Sequence, residues 1–569
     1  MNDIIFEIKK QIGDVLTDAI KNIGTKLTVG AELIETAVNT EIEIEIPKEK
    51  SHGDFSANIA MKLTKVLRNS PQNIAKAIIE GIDTNGTYID KVEIAGPGFI
   101  NFYLKDNWLY DGLRMCIEKK ENYGRLDIGN GKKVMVEFVS ANPTGPMHMG
   151  NARGGALGDS LAGVLDMAGY NVTREFYIND AGAQIDKFAN SLEARYIQEL
   201  KGEDAVEFSQ DWYQGNDIKR LAKAFAEIHG DKYLEKTSEE RKEELVKYGL
   251  NHNIPKLKTD LENYRINYDI WFNESQIHEN GEVAETIELL KKSDYTYEKD
   301  GALWLKSTEF GCEKDDVLIR ANGFPTYFAV DIAYHRNKFE KRGFDKVINI
   351  WGADHHGHVL RMKGAMEAIG IDSSKLEIIL MQLVRLVKDG EAVRMSKRTG
   401  EMITLSDLVE DIGIDAARFF FNLRQAESHL EFDLDLAIAQ NNENPVFYVQ
   451  YAHARIASII RNLANEGITL SDCNKIDLTL LNSDAEKELI EKIASFPHEI
   501  HLCSISMEPS KLTRYVMDLS ALFHSFYNSC KVMCDDKELM QARLLLCHAT
   551  KTVISNVFDI LKVEAPEKM

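Results

Sequence analysis

Residues 133–184 read KVMVEFVSANPTGPMHMGNARGGALGDSLAGVLDMAGYNVTREFYINDAGAQ, and three local signals follow one another within them. Val134, Val136, Phe138 and Val139 form an apolar run of strand length. It is ended by Asn142-Pro143-Thr144-Gly145-Pro146, which neither continues a strand nor starts a helix early. Ala152, Ala156, Leu157, Leu161, Val164, Leu165 and Ala168 then recur at helical spacing until Gly169 supplies a stop, and residues 172–178 are again apolar and β-prone. The spacing predicts a strand, loop, helix, strand unit. Such a unit places its loop at the carboxyl end of the first strand, where open parallel sheets bind nucleotides, and aims the amide end of the helix at it. His148, Gly150 and Asn151 fall in that loop. Glycine admits close backbone approach, and imidazole and carboxamide both donate to phosphate oxygens. A lone histidine ahead of a helix equally serves as a surface or capping residue.

At 569 residues the chain exceeds one hydrophobic core, and ordinary domain sizes imply about three to five units. With 44% hydrophobic and 28% charged residues the composition is that of a soluble globular protein. The opening MNDIIFEIKK is acidic at Asp3 and lacks the apolar segment of a targeting peptide. No uninterrupted apolar run of roughly 18 residues is evident, so a cytoplasmic protein without a membrane span is expected. Seven cysteines without paired spacing fit reduced thiols. Cys530, Cys534 and Cys547 lie in apolar helical stretches without the short Cys-x-x-Cys pairs of zinc sites, and no protein-bound metal is expected. The net charge of −22 neither supports nor excludes RNA. Phosphate binding depends on local patches within a screening length of about 8 Å.

Residues 1–115 read as a separate α+β domain. Ile4, Ile5, Ile8, Ile12, Leu16, Ala19, Ile20 and Ile23 make one helical stripe, and EIEIEI at 41–46 alternates as a strand with one wet face. A helix is expected over 55–68, another opens at Pro71, and residues 92–95 and 99–104 flank a Gly96-Pro97-Gly98 turn. Residues 186–265 are helical and highly charged, an insertion with solvated faces. Strands resume at 302–305 and 317–320, a second insertion over 295–322. TYFAVDIAYHRN (326–337) sets Tyr327, Asp331 and Tyr334 near one helix face. A carboxylate beside a phenol suits a planar cation, although an ordinary helix with one salt-bridged Asp reads the same way. KVINIWGAD (346–354) is a strand ending in Gly352 and Asp354, with His355, His356 and His358 next. Adjacent histidines diverge in direction, which argues against a tri-histidine metal site. Residues 376–387 are expected to form a strand, followed by a turn and the basic loop RMSKRTG (394–400). From Leu405 onward the chain is predominantly helical.

PMHMGNARG, between a strand and a helix, resembles the HIGH element of class I aminoacyl-tRNA synthetases. SANPTGPMHMGNARG together with EFYINDAGAQI is most similar to the arginyl-tRNA synthetases, and RMSKRTG resembles their KMSK element. The resemblance runs over nearly the whole chain. It implies a Rossmann-like parallel-sheet α/β catalytic domain with helical insertions over 116–404, behind an α+β amino-terminal domain over 1–115 that contacts the tRNA elbow. A connecting segment over 405–443 then leads to an all-α anticodon-binding bundle over 444–569.

Residue by residue, the resemblance implies that His148, Asn151 and Lys397 act on the α-phosphate and the leaving pyrophosphate, the last from a mobile cationic loop. Gly150, Gly352, Asp354, His356, Met395 and Ser396 would border ATP. Glu137, Asn142, Glu274, Tyr327, Asp331 and His355 would surround arginine, His355 standing where some members carry glutamine. In HGDFSANIAMKL, Phe55 and Asn58 would meet RNA, a role that competes with simple core packing for Phe55. Tyr448, Tyr451 and Arg455 of NPVFYVQYAHARI would meet exposed bases. The expected activity is an arginine–tRNA ligase: the arginine carboxylate attacks the α-phosphate of ATP, brought with Mg²⁺, and the terminal ribose of tRNA(Arg) then takes the arginyl group. The expected protein is a monomer whose activation step requires tRNA. Another class I ligase and a non-catalytic tRNA-binding paralogue are the alternatives.

Overall fold

In the computed structural model, which describes residues 3–393 and 403–569, the amino-terminal stripe folds as one helix, Ile4–Lys21, with its isoleucines buried on one face. Asp3 caps it, its Oδ1 accepting the Phe6 N–H at 3.0 Å. The other carboxylate oxygen lies 3.1 Å from His498 Nδ1 and 3.9 Å from His501 Nδ1 on the Phe496–Ser506 helix of the carboxyl-terminal bundle. These three potential ligand atoms converge, but Lys9 Nζ stands 3.4 Å from His498 Nε2, and the cluster is a polar clamp between the two ends of the chain. Burial alone would raise the Asp3 carboxyl. The two imidazoles and the Phe6 amide outweigh it and hold the group below the usual carboxylate range. Because the folded value lies below the unfolded one, the clamp stabilises at pH above the ordinary carboxylate pKa and weakens as pH falls through the depressed one. Asp3→Ala removes cap and clamp together and should cost roughly 0.5–2 kcal/mol of stability, read as a lower urea midpoint. An unchanged midpoint would show that the clamp carries no load.

Four antiparallel strands complete this domain in the order β1-β2-β4-β3: β1 (Ile44–Glu45), β2 (Phe55–Ala57), β3 (Ile89–Ala95) and β4 (Phe99–Leu104). Two expectations are corrected here. The alternating EIEIEI yields only a two-residue strand. The helix expected over 55–68 is preceded by β2, with only the short helices Ile59–Lys62 and Thr64–Leu67 beyond it. The reason is a period of two: Phe55 and Ala57 point into the core and pair with Phe102 and Ile100 of β4. Phe55 is 2% exposed, so it packs the domain core and offers no face to an RNA base. Asn58 is half-buried, and its amide donates to Glu43 at 3.0 Å.

The strand, loop, helix, strand unit forms as expected. β5 (Lys133–Glu137) leads through the proline-rich loop into the helix Met149–Met167, which ends at Gly169 with φ +89°, and β6 (Asn171–Ile178) returns parallel to β5. The helices Ala183–Lys201, Asn216–His229 and Ser238–Asn263 follow, with a core of their own around Phe188, Tyr196 and Phe225. β7 (Ile270–Asn273) then adds to the parallel sheet; its four residues are too few for a period to be read. β8 (Thr296–Lys299), β9 (Ala302–Leu305) and β10 (Asp316–Ile319) make a small antiparallel sheet. β11 (Lys346–Gly352) and β12 (Leu376–Met381) finish the main sheet, whose order is β12-β11-β5-β6-β7, every pair parallel. The chain runs outward from β5 through β6 to β7 and then crosses back to β11. The topological switch point, where doubly wound sheets bind ligands, therefore lies between the carboxyl ends of β5 and β11.

The strand expected over 376–387 is divided. β12 ends at Met381, and β13 (Val384–Lys388) joins a second sheet of order β14-β13-β15 with β14 (Glu391–Val393) and β15 (Leu430–Asp433). At the break the Gln382 N–H donates to the Ala426 carbonyl at 2.9 Å, and the Gln382 carbonyl accepts from Arg153. Arg153, fully buried on the Met149–Met167 helix, also donates to the carbonyls of Gln425 and Ser428, both at 2.9 Å. On the same helix Asp159 pairs with Arg174 of β6 at 2.9 Å and with buried Arg418 at 2.6 Å. These contacts tie the helix after the loop to the segments flanking residues 394–402.

The carboxyl-terminal bundle comprises Pro445–Asn465, Asp484–Ala494, Phe496–Ser506, Ser510–Ser529 and Lys537–Leu561. The last of these corrects the reading that no stretch is apolar enough to span a membrane. By length and composition it qualifies, and 72% of its apolar window is buried in the bundle. All seven cysteines are free thiols.

Candidate active site

The backbone turns abruptly where β5 ends. The Ser140 N–H donates to the Phe138 carbonyl at 3.0 Å around Val139, whose φ is +71°, and Ser140 follows at +40°. A β-branched residue held at positive φ is costly, and such strain persists where surrounding structure over-determines it, typically at ligand sites. The Ser140 hydroxyl donates to Glu137 at 2.9 Å and accepts the Tyr177 N–H at 3.3 Å, which fixes the turn from both neighbouring strands.

The proline loop then delivers His148 as the cap of the Met149–Met167 helix. Its Nδ1 accepts the Gly150 N–H at 3.1 Å, and its own N–H donates to Asn151 Oδ1 at 3.0 Å. With Nδ1 occupied as an acceptor, the proton of the neutral ring resides on Nε2, the nitrogen that remains to donate to a ligand. Burial holds the imidazole below its ordinary pKa, which favours that neutral donor near pH 7. A side chain at Gly150 would place Cβ 3.1 Å from the His148 ring, so glycine there makes room for the imidazole itself. An isolated bridge joins His148 to Thr404, and the Leu405 N–H donates to the Met147 carbonyl at 2.9 Å. The loop is thus anchored to the residues just beyond the RMSKRTG element. Met395, Ser396 and Lys397 themselves lie outside the described residues. Across the switch point, β11 ends at Gly352, and Asp354, His355 and His356 are exposed at its carboxyl end, His355 Nε2 lying 3.7 Å from Asp354.

Beside this crevice three carboxylates gather around Tyr177 of β6. Burial, the hydrogen bond to Glu274 and the charges of Asp331 and Glu137 together raise the Tyr177 phenol far above its ordinary pKa. Glu274 is 4% exposed, and burial raises its carboxyl; His278 Nε2, one turn along the helix, lies 3.6 Å from it. Asp331 lies one turn beyond Tyr327 on the Tyr327–Arg336 helix, with its carboxylate 3.1 Å from His335 Nδ1 and 2.7 Å from His358 Nε2. Burial works to raise Asp331, and the two imidazoles outweigh it and hold the carboxyl below the usual range. Tyr327 is half exposed, its hydroxyl accepting the Ala183 N–H at 2.6 Å. Gly182, at φ +76°, permits this approach, since a Cβ there would meet the Tyr327 ring at 2.8 Å. Asn142 is exposed on the proline loop.

Glu137 is the most constrained of the three acids. Lys338, fully buried in the turn Asn337–Lys341, pairs directly with Oε2, the Tyr334 hydroxyl lies 3.1 Å away, and Ser140 occupies Oε1. Burial would raise this carboxyl, and Lys338 reverses the shift. Lys338 also donates to Asn349 Oδ1 at 3.1 Å, and Asn349 meets His335 Nε2 at 2.7 Å. A continuous polar chain therefore runs from Glu137 through Lys338, Asn349 and His335 to Asp331. Tyr177 and Lys338 were not evident from sequence, because no spacing marks residues that meet only across strands and helices, whereas His335 stands four residues beyond Asp331 on the same helix and that spacing could have found it.

In the bundle, Tyr448 is half-buried with its ring 5.1 Å from His524, and Tyr451 is partly exposed. The Arg455 guanidinium lies 4.2 Å above Tyr527 and 5.9 Å from Tyr451. His524 and Tyr527 extend the aromatic and cationic patch beyond the residues legible in sequence.

Family models cover the chain almost end to end: the arginyl tRNA synthetase N terminal domain over residues 7–104, the class I tRNA synthetase (R) catalytic domain over 113–456, and the DALR anticodon binding domain over 449–569. The arginine–tRNA ligase of Ruminiclostridium cellulolyticum is 59% identical over 570 residues, and that of Acetivibrio thermocellus 57% over 569, each alignment covering 100% of both chains. The arginyl-tRNA synthetase of Thermus thermophilus shares the fold with a TM-score of 0.74 at 21% identity, covering 97% of this chain and 99% of that one.

Proposed function

The chain belongs to the arginine–tRNA ligases of class I, and from that premise we propose how its own residues divide the work of activating arginine with ATP and passing it to tRNA. The observation that carries the assignment is the acidic pocket around Tyr177, set directly beside the nucleotide crevice. The arginine guanidinium enters between Asp331 and Glu274, with Tyr327 across the opening. A planar cation offers paired donors that a carboxylate fork accepts, and neither Asp331 nor Glu274 has a Lys or Arg partner among the described residues. Glu137, already paired to Lys338, retains spare acceptor capacity and closes the pocket floor. Asn142 and His355 border the amino acid from the two sides of the switch point.

Once arginine is seated, its carboxylate attacks the α-phosphate of ATP, and the protein contributes mainly positioning and charge stabilisation. His148 donates from Nε2 to the α-phosphate as charge builds. Asn151 holds the His148 backbone N–H through Oδ1, and its amide is the second donor in this reading of the α-phosphate site. Gly150, Gly352, Asp354 and His356 line the nucleotide. Lys397, with Met395 and Ser396, meets the departing pyrophosphate, a reading that rests on the RMSKRTG element. Mg²⁺ enters as part of the substrate with ATP, held by phosphates and few protein groups.

The domain assignments follow the same reading: residues 1–115 meet the tRNA elbow, with Asn58 as a contact, and residues 444–569 meet the anticodon through Tyr448, Tyr451 and Arg455. The protein works in the cytoplasm as a monomer without a membrane anchor, which suits its free thiols and a terminal helix absorbed by the bundle.

Asp331→Asn tests the arginine pocket. It removes one charge from a charge-assisted pair worth about 1.5–3 kcal/mol, so the KM for arginine should rise roughly tenfold to a hundredfold with the KM for ATP unchanged. Unchanged arginine dependence would remove Asp331 from the pocket.

A further inference from the structure

We infer that His358 is a positioning residue that aims the Asp331 carboxylate at arginine; the inference rests on the reading of Asp331 as the guanidinium acceptor. A bidentate pair needs the plane of the carboxylate fixed before the cation arrives. Two imidazoles stand against it from different elements: His335 Nδ1, on the same helix, donates to the Asp331 main-chain carbonyl at 2.8 Å and lies 3.1 Å from Oδ1, and His358, on the helix His356–Ala368 that follows β11, bonds Oδ2 at 2.7 Å.

The tautomer of His358 is set on its far side. Arg361 Nε donates to His358 Nδ1, so Nδ1 carries no proton and Nε2–H is the donor to Asp331. Arg361 is held in turn by Asp316 of β10 at 3.1 Å and lies 4.8 Å over the Phe328 ring. The His358 ring packs 5.3 Å from Trp351 and 5.7 Å from Phe328. Anchored on three sides and 15% exposed, it has little freedom to turn, whereas the Asp331 side chain keeps 30% of its surface open. His358 also lies two residues past His356, at the end of β11 that borders the nucleotide crevice. The geometry links the aim of the arginine acceptor to the element beside ATP.

The test compares His358→Leu, which removes the donor, with His358→Gln, whose amide nitrogen reaches the same place, in arginine-dependent pyrophosphate exchange with tRNA present. His358→Leu should raise the KM for arginine roughly tenfold or more and leave the KM for ATP within error, and His358→Gln should restore most of the loss. If His358 acts through Asp331, Asp331→Asn combined with His358→Leu should be no worse for arginine than Asp331→Asn alone. Additive losses, or equal losses in the Leu and Gln variants, would overturn the positioning role. An arginine KM unmoved by Asp331→Asn would overturn the pocket reading beneath it. If His358→Leu fails to fold, the Gln variant decides: a folded protein with wild-type arginine dependence supports the role, and one with a tenfold defect contradicts it.

Discussion

His148→Ala should slow arginine activation by roughly a hundredfold or more while leaving the KM for ATP nearly unchanged. Removing one preorganised donor from a developing phosphate charge typically costs about 2.7–4 kcal/mol of transition-state stabilisation. The reading of His148 as such a donor is supported by the Gly150 N–H, which occupies Nδ1, and by burial, which favours the neutral ring with its proton on Nε2. The substitution also removes the side-chain half of the helix cap. The other half, from the His148 backbone N–H to Asn151, survives, so the loop should hold its course. The separation of kcat from KM is the informative reading: a defect confined to the KM for ATP would mean that His148 only binds the ground state.

Lys338→Met carries the largest expected loss of stability. Lys338 is fully buried against Glu137, and cutting one partner from such a pair typically costs about 3–5 kcal/mol because the other charge is stranded. The surroundings sharpen the cost. Glu175 lies close by, joined to the same Tyr334 hydroxyl and neutralised by its own partner Arg342. The expected result is a marked fall in the melting temperature, partly recovered by adding Glu137→Gln, which removes the stranded charge. A melting temperature equal to that of the unaltered protein would show that Glu137 takes up a proton without penalty and that the pair is not structural.

How much of this was legible beforehand follows from the range of the interactions. The unit from β5 to β6 could be read directly, since apolar period two gives way to period 3.6 at a loop punctuated by two prolines. The amino-terminal stripe from Ile4 to Ile23 was equally plain. The strand at Phe55 was missed because SANIAMKL looks helical, while the burial of Phe55 depends on pairing with Phe102, which lies in β4 far along the chain. The strand over 376–387 looked continuous because nothing local marks Gln382 as the point where Arg153 and Ala426 pull the backbone into another sheet. At the site, Tyr327 and Asp331 sit one turn apart and were visible. Lys338, 201 residues from Glu137, was not, nor was the way His358 and Arg361 serve Asp331.

The most direct test is a crystal structure with a non-hydrolysable arginyl-adenylate analogue bound. The account predicts the guanidinium within about 3.2 Å of the Asp331 carboxylate and next to Glu274, with His148 Nε2 at the same distance from the phosphate. A guanidinium seated away from Asp331, or a phosphate out of reach of His148, would contradict it.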